Sequence, residues 1–392
     1  MNGVLKIVVA VSMVVGIQSL QAAALTNKEK LGSLLYFDED LSINKNQACA
    51  SCHLPPGFVD PANVADPVNS VVSLGSDISL NGGRNAPTAS YAAFSPFFRW
   101  DPAEGLYFGG QFWDGRAPTL TEQAKGPFLN PVEMAMPSKQ AVLDAVASEA
   151  NANHEPYTKL FLKVYGVDLE KLFKRNSNLE VDAYYAMIAD AIAEFEKTPV
   201  FSKFNSKYDY YLAGEATLTD QELNGLALFN GKAMCNLCHS SDNLTAPDGS
   251  VMPPLFTDFS YDNLGIPKSE NFMIANNPVD FGLGGRADIA AIDPDGLQLG
   301  KFKVSSLRNI EITAPYGHNG FFATLEEIVH FYNTRDVEPW PAPEVPQNVN
   351  DSELGDLGLT AEEEADIVAF MKTLTDQGNR PSPFDFPFQP SP

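Results

Sequence analysis

All four cysteines of the 392-residue chain fall in two motifs, Cys49-Ala50-Ser51-Cys52-His53 and Cys235-Asn236-Leu237-Cys238-His239. Each pair of thiols is followed at once by a histidine. That pattern suits covalent attachment of a c-type haem, with two thioethers to the haem vinyls and the adjacent imidazole under the iron. Four cysteines in an exported protein would otherwise suggest two disulfides. A zinc site would need further Cys or His beside each pair, and the whole chain holds five histidines. Two covalently bound haem c groups account for every cysteine, with His53 and His239 as proximal ligands.

Other residues could complete such sites. An electron-transfer haem usually takes a methionine as its sixth ligand, and the C-terminal half offers Met234, Met252, Met273 and Met371. Met234 abuts the attachment motif, Met371 belongs to the apolar side of the last helix, and Met252 and Met273 lie in stretches read as loops. The stretch TLEEIVHFYNTR, residues 324–335, adds His330 and Tyr332. On a helix these two diverge by about 200°, so at most one of them faces a given iron. In NPVEM, Glu133 sits among apolar and small residues. A carboxylate partly removed from water has a raised pKa and can carry a proton between two oxygens.

The elements around these residues read as helices. LTNKEKLGSLLYF leads into the first motif and LTDQELNGLALFNG into the second, each with a threonine followed three residues later by a glutamate. That is the pattern of a capped helix start. VDAYYAMIADAIAEFEKT closes the first half and LTAEEEADIVAFMKTLTD the second, with Ile367, Val368, Phe370, Met371 and Leu374 on one side. The arrangement occurs twice, with Cys235 placed 186 residues after Cys49, so the chain reads as an internal duplication. Strand signals are sparse. The predicted fold is mainly α, with two cytochrome c-like domains over 25–200 and 201–380, each with a covalently bound c-type haem. Such a length suits two cores better than one.

Residues 1–24 read as a secretory signal peptide, with Lys6, an apolar run and a small-residue exit. No later stretch is apolar and long enough for a membrane span, so a periplasmic or otherwise exported protein without membrane insertion is expected. The tail PSPFDFPFQPSP, 381–392, reads as a surface-draped or disordered end. A formal charge of −24 and a pI near 4.5 argue against nucleic acid and anionic membrane surfaces as partners. They suit a cationic protein partner or simple solubility.

Taken in order, LGSLLYFDEDLSINKNQACASCH, GRNAPT, FWDGRAPTLTEQAKGPFLNPVEM, the second CxxCH and KVSSLRNIEITAPYGHNGFFATLEEIVHFYN resemble the bacterial dihaem cytochrome c peroxidases and their MauG-like relatives. The likeness spans nearly the whole mature chain. It implies a peroxide-reactive high-spin haem on His53 and a six-coordinate haem on His239. The family's distal glutamate falls on Glu133, its glutamine on Gln123, its packing proline on Pro127 and its interhaem tryptophan on Trp113. Its interhaem calcium site falls on Asn85 and the carbonyls of Thr313 and Pro315. The axial position of the second haem falls on Tyr332, a methionine in the peroxidases and a tyrosine in MauG-like members. His330 is then a bystander, and His318 a hydrogen-bonding residue near a haem edge.

Two departures qualify the resemblance. PPGFVDPANVADPVNS lacks the histidine that blocks the peroxide haem of the peroxidases until reduction. The next histidine, His154, reads as an exposed loop residue. The haem on His53 is therefore expected to be open without prior reduction. Ala233 stands where MauG has a surface tryptophan for hole transfer, so MauG's own exit route does not carry over. The implied function is a hydrogen peroxide-dependent oxidoreductase of MauG-like type, reaching a bis-ferryl state that oxidises Trp or Tyr residues of a partner protein. The alternatives are a cytochrome c peroxidase fed by a small cytochrome or cupredoxin, and a dihaem electron carrier without turnover.

Overall fold

A computed structural model describes residues 24–169, 178–245 and 251–384. The first 23 residues of the expected signal peptide, and the tail from 385 onward, lie outside the described residues. The first turns of that tail are anchored: Ser382 Oγ donates to the Phe204 carbonyl at 2.9 Å, and Phe384 joins a small cluster with Tyr91 and Met252.

Helix α1 spans Asn27–Tyr36 and starts at a reciprocal Thr26/Glu29 capping box. Helix α2, Cys49–Cys52, carries the first attachment cysteines. Helices α3, Leu120–Ala124, and α4, Gly126–Leu129, follow. Helix α5 is His154–Tyr165 and α6 is Asn178–Glu196. In the second half, α7 is Asp220–Phe229, α8 is Leu325–Thr334 and α9 is Ala361–Lys372. All three of these begin with a threonine–glutamate capping box, which satisfies backbone N–H groups the helix itself leaves unpaired. His154 departs from expectation. It opens α5 rather than lying in an exposed loop, it is half-buried, and its Nδ1 is buried without a partner.

Each half has its own apolar core. One gathers Leu31, Leu35, Tyr36, Phe128, Ile188, Ile192 and Phe195, and the other Phe229, Phe256, Phe331, Ile367, Phe370 and Leu374. In the N-terminal half α1 crosses α6 at a glycine, and in the C-terminal half α7 crosses α9 at one. A Cβ on Gly32 of α1 would sit 1.9 Å from the Ala191 carbonyl oxygen and 2.8 Å from Phe195 Cβ. A Cβ on Gly225 of α7 would sit 1.9 Å from the Asp366 oxygen and 2.9 Å from Phe370 Cβ. The duplication read from the motifs therefore extends to single atoms at the two crossings. The obstacle is backbone, so neither crossing can absorb a methyl by turning a side chain. Gly32→Ala and Gly225→Ala should each cost about 1–3 kcal/mol or more, the overpacking range, against the small gain alanine otherwise brings to a helix. Denaturant unfolding of the holo-protein measures this, and an unchanged midpoint would contradict the crossing geometry.

Sheet structure among the described residues is confined to short two-stranded antiparallel ribbons. Strands β1, Arg99–Asp101, and β2, Leu106–Phe108, form one; β3, Tyr261–Asp262, and β4, Phe302–Lys303, form another. The second ribbon ties the halves together. Lys303 N–H donates to the Trp113 carbonyl at 2.8 Å, and Lys303 Nζ to the Gly110 carbonyl at 2.9 Å. Arg84 adds a bidentate pair to Asp280 at 2.6 and 2.8 Å. These bonds fix the loop that carries Trp113.

Candidate active site

Two cavities hold the residues singled out by sequence. A cavity of about 560 Å³ in the N-terminal half is lined by Cys49, Cys52 and His53 together with Gln123, Pro127 and Glu133. A cavity of about 230 Å³ in the C-terminal half is lined by Cys235, Cys238, His239 and Tyr332. Asn85, Ala86, Pro87, Thr88, Trp113 and Asp280 line both. Trp113 thus stands in the wall between them, its Nε1–H donating to the Asn85 carbonyl at 2.8 Å.

Each motif histidine has its tautomer set by its surroundings. His53 Nδ1 lies 3.3 Å from the Phe58 carbonyl and His239 Nδ1 lies 2.8 Å from the Phe256 carbonyl. A carbonyl only accepts, so Nδ1 carries the hydrogen and Nε2 keeps its lone pair. Burial pushes both imidazoles below their ordinary pKa, so they stay neutral. The four cysteines form no disulfide. Burial pushes the Cys52, Cys235 and Cys238 thiols up to about 12, and Cys49 further.

On the far side of the N-terminal cavity, Gln123 comes from α3, Pro127 from α4, and Glu133 from the turn after α4. Burial raises the Glu133 carboxyl above its ordinary pKa, while the Arg116 guanidinium and a bond from Asn130 pull it back. Arg116 is itself placed by Asp114 at 3.0 Å and by the face of Phe112, 3.6 Å from the ring centre. In the C-terminal cavity, Leu325, Ile328, Val329 and Tyr332 of α8 form one lining stripe, the i, i+3, i+4, i+7 spacing of a single helix face. Burial raises the Tyr332 hydroxyl far above its ordinary pKa. Met234 and Met371 also line this cavity, whereas Met252 and Met273 pack in clusters away from it. Met252 also lies in a short strand rather than a loop.

The chemistry of the cavities fits haem c: two vinyl-reactive thiols, a neutral imidazole with a free Nε2, and largely apolar walls. Buried polar atoms without a protein partner give a separate indication. Among the described residues these are Gln47 Oε1, Ser73 Oγ, His154 Nδ1, Glu196 Oε2 and His318 Nδ1. Three of the five residues line the N-terminal cavity and His318 lines the C-terminal one. Unsatisfied buried polar groups are costly, and their concentration here marks space shaped for a polar-edged group.

A model of the di-haem cytochrome c peroxidase family matches residues 26–217. The methylamine utilization protein MauG of Paracoccus denitrificans is 38% identical over 369 residues, covering 90% of this chain and 89% of that protein. The chain belongs to the dihaem cytochrome c peroxidase family. Cytochrome c551 peroxidase of Nitrosomonas europaea is 33% identical over 378 residues, 95% of this chain and 87% of the relative. The solved dihaem peroxidase BthA of Burkholderia thailandensis superposes with a TM-score of 0.76 at 30% identity, covering 90% of this chain and 86% of that one. Like its family, the chain is an oxidoreductase with two haem c groups. No helix among the described residues is long and apolar enough to cross a membrane.

In this member of the family, sequence reasoning missed several residues around the cavities. Arg116 lies within the quoted FWDGR motif, but nothing in its type announced its electrostatic pull on Glu133. The Arg84–Asp280 pair joins residues 196 apart, and nothing in the sequence sets Glu196 apart from Glu194. His330 stands apart from both cavities. Its Nδ1 lies 3.0 Å from Glu364 and its Nε2 lies 3.2 Å from Glu338. These carboxylates, Glu364 first, raise its pKa. A raised folded-state pKa contributes stability that is fully present below the unfolded value of about 6.5 and is lost as pH rises through the folded value. The stability gap between the native protein and His330→Ala should therefore shrink with rising pH across that window. A gap that stays constant would contradict the pairing.

Proposed function

We propose that this chain is a MauG-like member of its family, using hydrogen peroxide to oxidise a Trp or Tyr residue of a partner protein. The observation that carries the reading is the stripe on α8 that brings Tyr332, and not His330, into the C-terminal cavity. A phenolate on iron favours the higher oxidation states, as an axial tyrosine does in catalase-type ligation. Bound at the two motifs, the haems would supply peroxide reduction and the storage of oxidising equivalents. His53 and His239, each with Nε2 free, would hold the haem irons, and Tyr332 would be a further ligand at the second site. Glu133 moves a proton between the two peroxide oxygens, Gln123 orients the peroxide, and Pro127 keeps the distal wall closed. Trp113, shared by both cavity walls, passes oxidising equivalents between the halves. Asn85 offers its side-chain oxygen, and Thr313 and Pro315 their carbonyls, to a calcium ion between the sites. These are neutral hard donors of the kind that ion accepts. Asn85 Nδ2 is engaged by the Val71 carbonyl at 3.0 Å, which leaves the amide oxygen as its acceptor. The protein works outside the cytoplasm after signal-peptide removal.

A cytochrome c peroxidase, drawing electrons from a small redox protein, is the second reading. The 33% identity with the Nitrosomonas peroxidase speaks for it. Stopped-flow spectra of the fully ferric protein mixed with one equivalent of peroxide separate the two. The MauG-like reading expects an immediate, long-lived spectral change without added reductant. A reaction that begins only after one haem has been reduced would overturn it.

A further inference from the structure

Glu196 is the last residue of α6, and only 6% of it is exposed. Its neighbours Glu194 and Lys197 face outward, toward each other at 3.8 Å and toward Lys28. Glu196 turns the other way. It lines the N-terminal cavity beside Cys49 and Ile192, and its Oε2 has no partner. Leaving a carboxyl oxygen dry and unbonded costs several kcal/mol on the usual scales, and the C-terminal end of a helix disfavours negative charge further.

The duplication shows that the fold does not need an acid there. The two helix crossings pair Ala191 with Asp366 and Phe195 with Phe370. One residue on, Glu196 corresponds to Met371, which lines the other cavity as Glu196 lines the first. Ile192 and Ile367 correspond in the same way, and both line their cavities. At one position of one scaffold, the second site has an apolar filler and the first has an unpaired carboxyl.

We propose that Glu196 is a proton-exchanging residue of the N-terminal haem cavity, protonated while the site is reduced and ionised when an electron is withdrawn from it. Oxidation adds one positive charge to a low-dielectric cavity, and that charge favours the carboxylate. The proton on the carboxyl passes to cavity water and then to solvent, and it returns when an electron is put back. By linkage, ionisation of Glu196 must stabilise the oxidised site to the same extent. Burial alone pushes the carboxyl up to about 8, so the exchange falls in an ordinary working range. The groups facing it do not compete as cations. Burial keeps Tyr36 of α1 neutral, and Cys49 of α2 carries no charge as a thioether to the haem. His53 is buried and neutral, Arg116 pairs with Asp114, and Lys28 and Lys197 pair with Glu194 outside. Asp114 and Asp280 also line the cavity, but Arg84 holds both below their ordinary pKa against the effect of burial. Burial leaves Glu133 raised, so the test has to tell Glu133 and Glu196 apart.

This inference needs the haem but neither peroxide nor partner, so it stands or falls apart from the MauG-like reading. The test is spectroelectrochemical titration of the holo-protein, following the N-terminal haem at a series of pH values around 8. The native midpoint potential should fall with rising pH, approaching the one-proton, one-electron limit of about 59 mV for each tenfold drop in proton activity. Glu196→Gln should flatten the curve in that window, and so should Glu196→Met, which installs the residue the other cavity already accommodates. Glu133→Gln should keep the slope. Infrared difference spectra on reduction should show a protonated-carboxyl band in the native protein that Glu196→Gln removes. A flat native curve, a slope that survives in both Glu196 variants, or a slope lost only in Glu133→Gln would each overturn the proposal.

Discussion

Tyr332→Phe should leave the protein folded with both haems attached and convert the His239 haem to a five-coordinate spectrum. The substitution keeps the ring that completes the Leu325, Ile328, Val329 stripe and removes only the hydroxyl. That hydroxyl lies in a dry cavity where burial strongly opposes ionisation. A phenol so placed becomes a phenolate only when a cation compensates, because a bound metal inverts the local pKa logic. A haem iron held by Tyr332 would supply that compensation. Changes one shell out from a metal commonly cost about 10–100-fold in activity, and losing the ligand itself should fall at or beyond that range. The measurable consequences are loss of one six-coordinate signal in the ferric spectrum and at least a tenfold shorter life of the peroxide-oxidised state. His330→Ala should change neither, since that ring is held by Glu364 and Glu338 outside the cavity. An unchanged spectrum in Tyr332→Phe would transfer the sixth position to Met234 or Met371, which line the same cavity.

What the sequence made legible divides along a physical line. The cysteine spacing, the capped helix starts and the apolar side of α9 are local, and each rests on a period or a bond within a few residues. They predicted α1, α7 and α9, and the divergence of His330 from Tyr332 follows from helix geometry alone. The helix crossings were less visible. Gly32 and Gly225 are ordinary residues within helical stretches, and only the approach of Ala191 and Asp366 gives them meaning. Charges at the cavities were hidden for the same reason. Arg84 meets Asp280 across the two halves, Arg116 bears on Glu133 through space, and Glu196 differs from Glu194 only in which way it turns. His154 was misread because a histidine between polar residues looks like a loop, whereas it opens α5. Grouping Gln123, Pro127 and Glu133 in one cavity wall needed either a family pattern or the fold. Their types alone, on two short helices and a turn, carry no common period.

Glu133→Gln should slow the reaction of peroxide with the N-terminal haem by about 10²- to 10⁴-fold, the usual worth of a positioned acid–base group. The amide keeps the volume and a hydrogen-bonding end, so the cavity and haem attachment should be preserved, and the resting spectrum tests that directly. Only the ability to take a proton from one peroxide oxygen and deliver it to the other is lost. The pH profile gives an independent handle. Burial raises the Glu133 carboxyl, and Arg116 and Asn130 moderate the rise. The first proton has to be accepted by the carboxylate, so the native rate should fall as pH drops through that raised pKa. The residual rate of Glu133→Gln should lack this inflection. Arg116→Gln removes the cation that holds the carboxyl down, and should therefore move the inflection to higher pH while leaving the plateau above it nearly unchanged. Glu196 sits in the same cavity but beside Cys49, so an inflection that persists in Glu133→Gln and disappears in Glu196→Gln would reassign the base. If Glu133→Gln keeps the native rate within a few-fold and neither variant moves the profile, the distal wall is only a shape and the proton must come from solvent.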